Sequence, residues 1–496
     1  MNPKQLLAYA FITAWIDKKV ENPNATNPFY LNISGRAGCG KSYFLNCISK
    51  YTSQKGGDTF LQKAAPTGTA AFLIGGNTLH GTFKLNVQSS TKKELPDLKG
   101  EALRELQDHF RYCELLVIDE KSMVGMYMLY MIDKRLREIK PTNAHLPFGG
   151  ISVILMGDFA QLPPIGDKPL FYQDISEMSS LQCIGKTLFK LFDKTIIFNQ
   201  IMRQQGEEQK EFREVLDRLS NDKFDRDDWK FLKQRELFGD GNLSESEREQ
   251  FLANSTMICA YNRDLKAYNI KRIKDLGTPI AMINSQNSDK VVASFPSSKA
   301  QGLPSQVMLA KDCQVILTVN LWKEAGLTNG AKGIVKYIIY EGNVKPTSLP
   351  SMVIIQFPQY IGPSYLTDLE KCVPIVPIMR NWYMSKKNRW RIMLPLKPAY
   401  ATSIHSCQGK SLDRVIINLG KTEFANGLTY TAISRCKKFE YLSFCPMKNY
   451  SRFAQIKKGK TFTYRIKQDK KEKEFDKEFD LSMESLTMSL EDIVEV

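Results

Sequence analysis

Gly35, Gly40, Lys41 and Ser42 stand at the spacing G-x-x-x-x-G-K-[ST] inside "GRAGCGKS", a pattern whose chemistry is the cradling of phosphates. Backbone amides from Gly35, Arg36, Ala37, Gly38, Cys39 and Gly40 converge on phosphate oxygens. Lys41 reaches the β- and γ-oxygens, and the Ser42 hydroxyl suits Mg2+. The flanks agree: "PFYLNIS" reads as a buried strand and "KSYFLNCISKY" as a helix whose N-terminus adds positive potential. A second stretch, "ELLVIDEKSMV", ends an apolar run on Asp119 and Glu120. Alone, such a pair reads as a solvated strand end. Beside the loop, Asp119 suits the metal and Glu120 the activation of a water. A third stretch, "GGISVILMGDFAQLPPI", puts Asp158 and Gln161 where a parallel sheet opens its ligand crevice. Gln161 is the candidate γ-phosphate sensor, and Pro163 and Pro164 set a rigid turn. ATP and Mg2+ are the cofactors this chemistry requires.

A small-molecule kinase uses the same loop, so later stretches decide. "IIFNQIMRQQGEEQKEFREVLDRL" places Arg203 between a strand and an amphipathic helix, and "GLTYTAISRCKKFEYLSF" places Arg435 at a helix end. "PLKPAYATSIHSCQGKSLDRVIINLG" sets His405, Gln408 and Gly409 on a short helix and turn between apolar strands. Two arginines far from the loop, each at the end of an element, suit cations that stabilise a transferring phosphoryl group. A kinase leaves both unexplained.

The 496 residues exceed one compact core, and the formal net charge of +16 favours a polyanion, foremost nucleic acid. Ten cysteines without CxxC pairs or histidine partners argue for thiols in a reducing compartment. No long apolar run and no leader pattern occur, so the expectation is an intracellular protein without a membrane partner, in nucleus, cytoplasm or a viral replication site. Thr67, His80, Thr402, His405 and Gln408 are hydrogen-bonding residues near expected strand ends, suited to phosphate contacts that ignore base sequence. Phe83, Trp322 and Trp382 suit either base stacking or core packing.

On these residues the chain resembles the Pif-one family of superfamily-one, RecD-like DNA helicases, over nearly all of residues 1–450. "MNPKQLLAYAFITAWI" resembles the family's adenine-reading segment, with Gln5 as the specificity residue; "AAPTGTAAFLIGGNTLHGTF" resembles its first DNA-contacting segment. Met131 to Ile165 resembles its signature region. "MVGMYMLYMIDKRLREI", "GDKPLF" and "DDWKFLKQR" are most similar to such proteins of transposons and large DNA viruses. The resemblance implies 5′-to-3′ movement on single-stranded DNA and separation of forked duplexes, in replication, repair or recombination. It also implies Gly409 at the nucleotide and Pro163 at the DNA. Alternatives are a remodeller of RNA or RNA–DNA hybrids, or a nucleic-acid-binding ATP switch.

The implied fold class is α/β, two RecA-like P-loop domains with parallel sheets and a small Src-homology-three-like β-barrel inserted in the second. The first RecA-like domain is expected over residues 1–193, with a wedge-like insertion at 84–110. The second is expected over 194–280 and 396–452, interrupted by the barrel at 281–395, where short alternating strands and the "TNGAKG" turn signal appear. Residues 453–496 read as a charged tail that either touches DNA, docks a protein partner or stays solvated. A monomer is expected. Cys39, next to Gly40, reads either as a small residue filling space or as a reactive thiol at a helix N-terminus.

Overall fold

The computed structural model describes residues 1–24, 26–85, 91, 93–221, 223–342, 347–364, 369–384, 387–454 and 459–485. It divides into two compact units. The first contains Met1–Ser244, Ile404–Asp413 and the chain from Leu419 onward; the second contains Glu245–Ser403 and Arg414–Asn418.

The first unit is built on six parallel strands: β1 (Tyr30–Gly35), β2 (Leu61–Ala65), β3 (Asn77–Thr78), β4 (Leu115–Ile118), β5 (Ser152–Gly157) and β6 (Lys194–Phe198). Their order in the sheet is β3-β2-β4-β5-β1-β6. β4 and β5 are buried along their whole length, as expected of central parallel strands covered on both faces. On one face, helix α1 (Pro3–Glu21) and helix α2 (Lys41–Gly56) contribute Ile12, Ile16, Phe44 and Ile48 to the core. On the other, the helix Met126–Ile139 packs Leu129, Ile132 and Leu136 with Phe110 and Phe148. Asn2 and Gln5 close α1 with a capping box, and a proline occupies its first turn.

Two expected boundaries change. Lys194–Phe198, expected to open the second domain, pairs in register with β1 from Leu31↔Lys194 to Gly35↔Phe198. Its apolar side chains Ile196 and Phe198 belong to the first sheet's core. Residues 460–485, expected within a charged tail, form one helix, Lys460–Ser485, that seats Phe479 and Met483 in that core. The acidic end, 486–496, lies outside the described residues, as do 86–90 and 92 of the expected wedge. The described part of that wedge carries the helix Glu101–His109 and buries Leu95 and Leu106.

In the second unit the strand Thr256–Cys259 pairs in parallel with Ala401–Ser403 on one side and Val415–Asn418 on the other. Between 280 and 398 the pairing is antiparallel. One five-stranded sheet runs in the order 372–375, 352–356, 332–339, 314–317, 396–398, and the hairpin 378–384/387–393 adds the short strand 286–287. Val315, Leu317, Val335, Val353 and Ile355 fill the core of this unit.

Candidate nucleotide site

Four strand ends meet at one cavity of about 360 Å³, within the nucleotide-sized range. β1 ends in the glycine loop, β4 in Asp119 and Glu120, and β5 in Asp158 followed by Gln161. β6 leads to Met202 and Arg203. Gly409 and Arg435 complete the wall.

The loop tolerates no bulk. Gly38 has φ +86° and a Cβ there would stand 2.4 Å from Arg203 Cβ; Gly40 has φ +82° and a Cβ there would stand 2.7 Å from Gln5 Nε2. These contacts bring both partners against the backbone. Gln5 Oε1 accepts from Asn2 N at 3.0 Å, and Gln5 Nε2 donates to Cys39 O at 3.1 Å, so the cap of α1 also holds the loop. Lys41 Nζ donates to Gly35 O at 2.7 Å and Arg36 O at 3.1 Å.

The anionic wall is buried. Burial first, and then neighbouring Glu120, push the Asp119 carboxyl above the usual carboxylate range. Glu120 takes a left-handed conformation, φ +54°, and its Oε2 accepts from Gln408 Nε2 at 2.9 Å. Burial opposes ionisation of Asp158 too, but Arg36 and Lys41 outweigh it and hold that carboxyl below its usual value. Tyr430 links these parts, receiving Ala37 N at 3.3 Å and donating to Asp158 Oδ2 at 3.0 Å.

On the cationic side, Arg203 donates to Ser434 O at 2.8 Å. Burial and then neighbouring Arg435 push its guanidinium down to about 9. Arg435 is 1% exposed and donates to Gln161 Oε1 at 3.3 Å, to Ser434 Oγ at 2.9 Å and to Thr431 O at 2.9 Å. Two arginines and Lys41 around one cavity suit a triphosphate.

The residues expected at DNA take different local roles. Thr67 caps a short helix by accepting from Ala70 N, and His80 is half-buried on the next one. Pro163 is half-buried. His405 stacks on Phe424 with centroids 6.5 Å apart. Gln408, 1% exposed, faces Glu120 and Ser122 instead of solvent. Thr402, in the second unit, pairs with Ile258. Phe83 is core, stacked on Phe110, whereas Trp322 is exposed. Cys39 is fully buried, and burial raises its thiol despite Lys41 nearby, so the space-filling role fits and the reactive one does not.

A PIF1-like helicase family model matches residues 12–229. ATP-dependent DNA helicase PIF1 of Xenopus laevis is 30% identical over 411 residues, covering 83% of this chain and 58% of that one. Over residues 12–229 the chain is similar to PIF1-like helicases. Uncharacterized protein 030L of Invertebrate iridescent virus 6 is 25% identical over 475 residues, 83% of this chain and 86% of the viral one. The Pif1 helicase structure from Candida albicans superposes with TM-score 0.70 at 22% identity, covering 95% of this chain and 99% of that one, and so shares the α/β RecA-like fold. The chain spans little more than half of the frog protein's length.

Sequence reasoning missed three buried residues that bond to the elements around this cavity: Tyr430, Lys121 and Glu472. Tyr430 lies five positions before Arg435 in "TYTAISR", a usable signal, since the helix Leu428–Ile433 carries Tyr430 and leads directly into Arg435. Lys121 directly follows the carboxylate pair, but nothing nearby in sequence shows its partner.

Proposed function

We propose that this chain is an ATP-dependent DNA helicase that moves 5′ to 3′ along single-stranded DNA and separates forked duplexes in genome replication, repair or recombination. The supporting observation is the single cavity that gathers Lys41, Asp119, Glu120, Arg203 and Arg435, with the turn after His405 touching Glu120 through Gln408. The names of the relatives supply DNA as the polymer.

ATP fits the cradle, since the loop amides, Lys41 and two arginines offer donors on every side of a triphosphate. Mg2+ fits the oxygen set of Ser42 and Asp119, because a carboxyl buried beside a second carboxyl favours a cation. When bound, the ion neutralises charge on the β- and γ-oxygens. Gln5 reads the adenine edge. Lys41 leaves the Gly35 and Arg36 carbonyls for phosphate. Glu120 orients a water, Gln161 senses the γ-phosphate, and Arg203 and Arg435 stabilise charge as the bond breaks. Gln408 reports the state of Glu120 to the turn carrying His405. Thr67, His80, Pro163, Thr402 and His405 then hold the phosphate backbone of single-stranded DNA.

We also infer that the parallel strands at 256–259, 401–403 and 415–418 are the centre of a second RecA-like core. The antiparallel insertion at 281–395 is its Src-homology-three-like barrel, and the working form is a monomer.

The test compares wild type with Lys41→Ala for ATP hydrolysis with and without single-stranded DNA, then for strand displacement on 5′- and 3′-tailed duplexes and RNA tails. DNA-stimulated hydrolysis, lost by about 10³-fold in Lys41→Ala, and displacement from 5′ DNA tails are expected. Hydrolysis indifferent to DNA overturns the motor; displacement only from 3′ tails overturns the polarity.

A further inference from the structure

Lys121 is a buried cation that the proposed chemistry does not use. It follows Glu120 directly and is 0% exposed. Its Nζ donates to Asn32 Oδ1 at 2.5 Å and to Ser34 Oγ, both on β1, and stands 4.4 Å from the Phe159 ring centre. The charge is balanced from the far end of the chain: Glu472 Oε1 lies 3.4 Å from Lys121 Nζ and accepts from Asn32 Nδ2 at 2.9 Å, while Glu472 Oε2 accepts from Ser34 Oγ at 2.5 Å. Asn32 Nδ2 also reaches Thr195 Oγ1 on β6 at 3.2 Å. Every charged member is thus paired and hydrogen-bonded, the condition under which a buried ion pair is tolerated.

Its position gives the network its meaning. Ser34 precedes Gly35, where the phosphate loop begins and whose carbonyl receives Lys41. Lys121 succeeds Glu120, a non-glycine residue held at φ +54°, a conformation that persists only where the surroundings fix it. Glu472 therefore grips the strand entering the loop and the residue leaving the carboxylate pair at once. The C-terminal helix is docked along its length to hold it there. Lys4, next to Gln5, bonds Asp476 at 2.9 Å and Asp480 at 2.6 Å; Arg465 donates to Ser220 O at 2.6 Å.

We propose that Glu472 is a positioning residue for ATP hydrolysis: through Lys121 it fixes Glu120 relative to the phosphate loop, making the helix Lys460–Ser485 a working part of the ATPase. This rests on the proposed hydrolysis of ATP by this chain, but not on movement along DNA.

The test measures steady-state ATP hydrolysis by the full-length chain for wild type, Glu472→Ala, Glu472→Gln, Lys121→Met and the double variant Lys121→Met/Glu472→Gln. All assays run well below each variant's melting temperature. Glu472→Ala and Glu472→Gln are expected to lower kcat by about tenfold or more with KM changed less than about threefold, since misplacing a reacting group by ~1 Å costs up to ~10²-fold. Lys121→Met is expected to lower kcat about as much as Glu472→Gln, and the double variant to lose little more than either, as two residues acting through one link do; fully additive losses overturn the inference. A lowered melting temperature with unchanged kcat in the folded Glu472 variants shows a purely structural pair and overturns the inference, while leaving ATP hydrolysis by wild type intact. Equal rises of KM with constant kcat overturn it also. No hydrolysis by wild type overturns this inference together with the reading beneath it. Loss of DNA stimulation alone touches only the helicase reading.

Discussion

Gln408 Nε2 donates to Glu120 Oε2 at 2.9 Å, across 288 positions of sequence. The glutamine belongs to the turn that follows His405, and the glutamate is the candidate for orienting water. Removing this bond frees Glu120 to adopt unproductive rotamers. Gln408→Ala is expected to lower DNA-stimulated kcat by about tenfold, a modest share of a general-base contribution, with nucleotide affinity within about twofold. Titration of a fluorescent ATP analogue beside hydrolysis assays checks both.

Gly38 meets the Arg203 side chain where any Cβ would stand 2.4 Å from it. Gly38→Ala therefore displaces Arg203 as well as straining the loop. A loss of about 10²-fold in ATP turnover is expected, together with weaker binding of the triphosphate than of the diphosphate relative to wild type. Calorimetric titration of both nucleotides provides the check.

Cys39 is buried, and burial raises its thiol above the ordinary value. Alkylation of the folded protein at pH 7.5 is expected to label partly exposed Cys47, Cys183 and Cys445 well before Cys39. Cys39→Thr is expected to keep ATP turnover within about twofold. Peptide mapping over time reads the order.

Arg391 is fully buried in the second unit and donates to Leu303 O at 2.9 Å, Val292 O at 2.5 Å, Phe295 O at 3.1 Å and Asn287 Oδ1 at 2.8 Å. One side chain thus ties the hairpin to the segment 287–303. Arg391→Met leaves those acceptors unpaired and is expected to cost about 3 kcal/mol, read as loss of the second unit's transition in urea unfolding. Arg391→Lys recovers only part.

Asp469 titrates high, at about 6, because burial outweighs Arg465 and Arg36. A carboxyl raised above its unfolded value contributes stability that is complete below about pH 4 and is lost as pH rises through about 6. Asp469→Asn is accordingly expected to lower the melting temperature relative to wild type at pH 4.5 and to close or reverse that gap by pH 7.5. Thermal melts across this range measure the crossing.

The glycine loop, Asp119, Gln161 and Arg203 are legible because each follows a short apolar strand, and Arg435 because it follows a short helix, local patterns of few residues. The division at 193 was not, because Lys194–Phe198 carries the same apolar signal whether it opens a new sheet or extends the old one; only its pairing with β1 decides. Gln408 was placed at DNA by residue type, yet its burial against Glu120 depends on a contact far along the chain. The C-terminal helix was hidden for a different reason. Its inward positions Arg465, Asp469, Glu472, Asp476, Phe479 and Met483 recur at spacings of four and three, but four of the six are charged. Hydrophobic periodicity therefore shows nothing, and the helix reads as solvated.

β6 is the outermost strand on its side of the sheet, and Asp476 accepts from its Ile197 backbone amide at 2.8 Å. An uncovered edge is a template on which another polypeptide adds a strand. A carboxylate seated on that amide, within a helix laid beside the strand, denies the template to neighbours. The same C-terminal helix therefore also caps the sheet's edge at Ile197. A chain ending near residue 458 would uncover that amide and leave β6 open to edge-to-edge pairing with a strand of another chain.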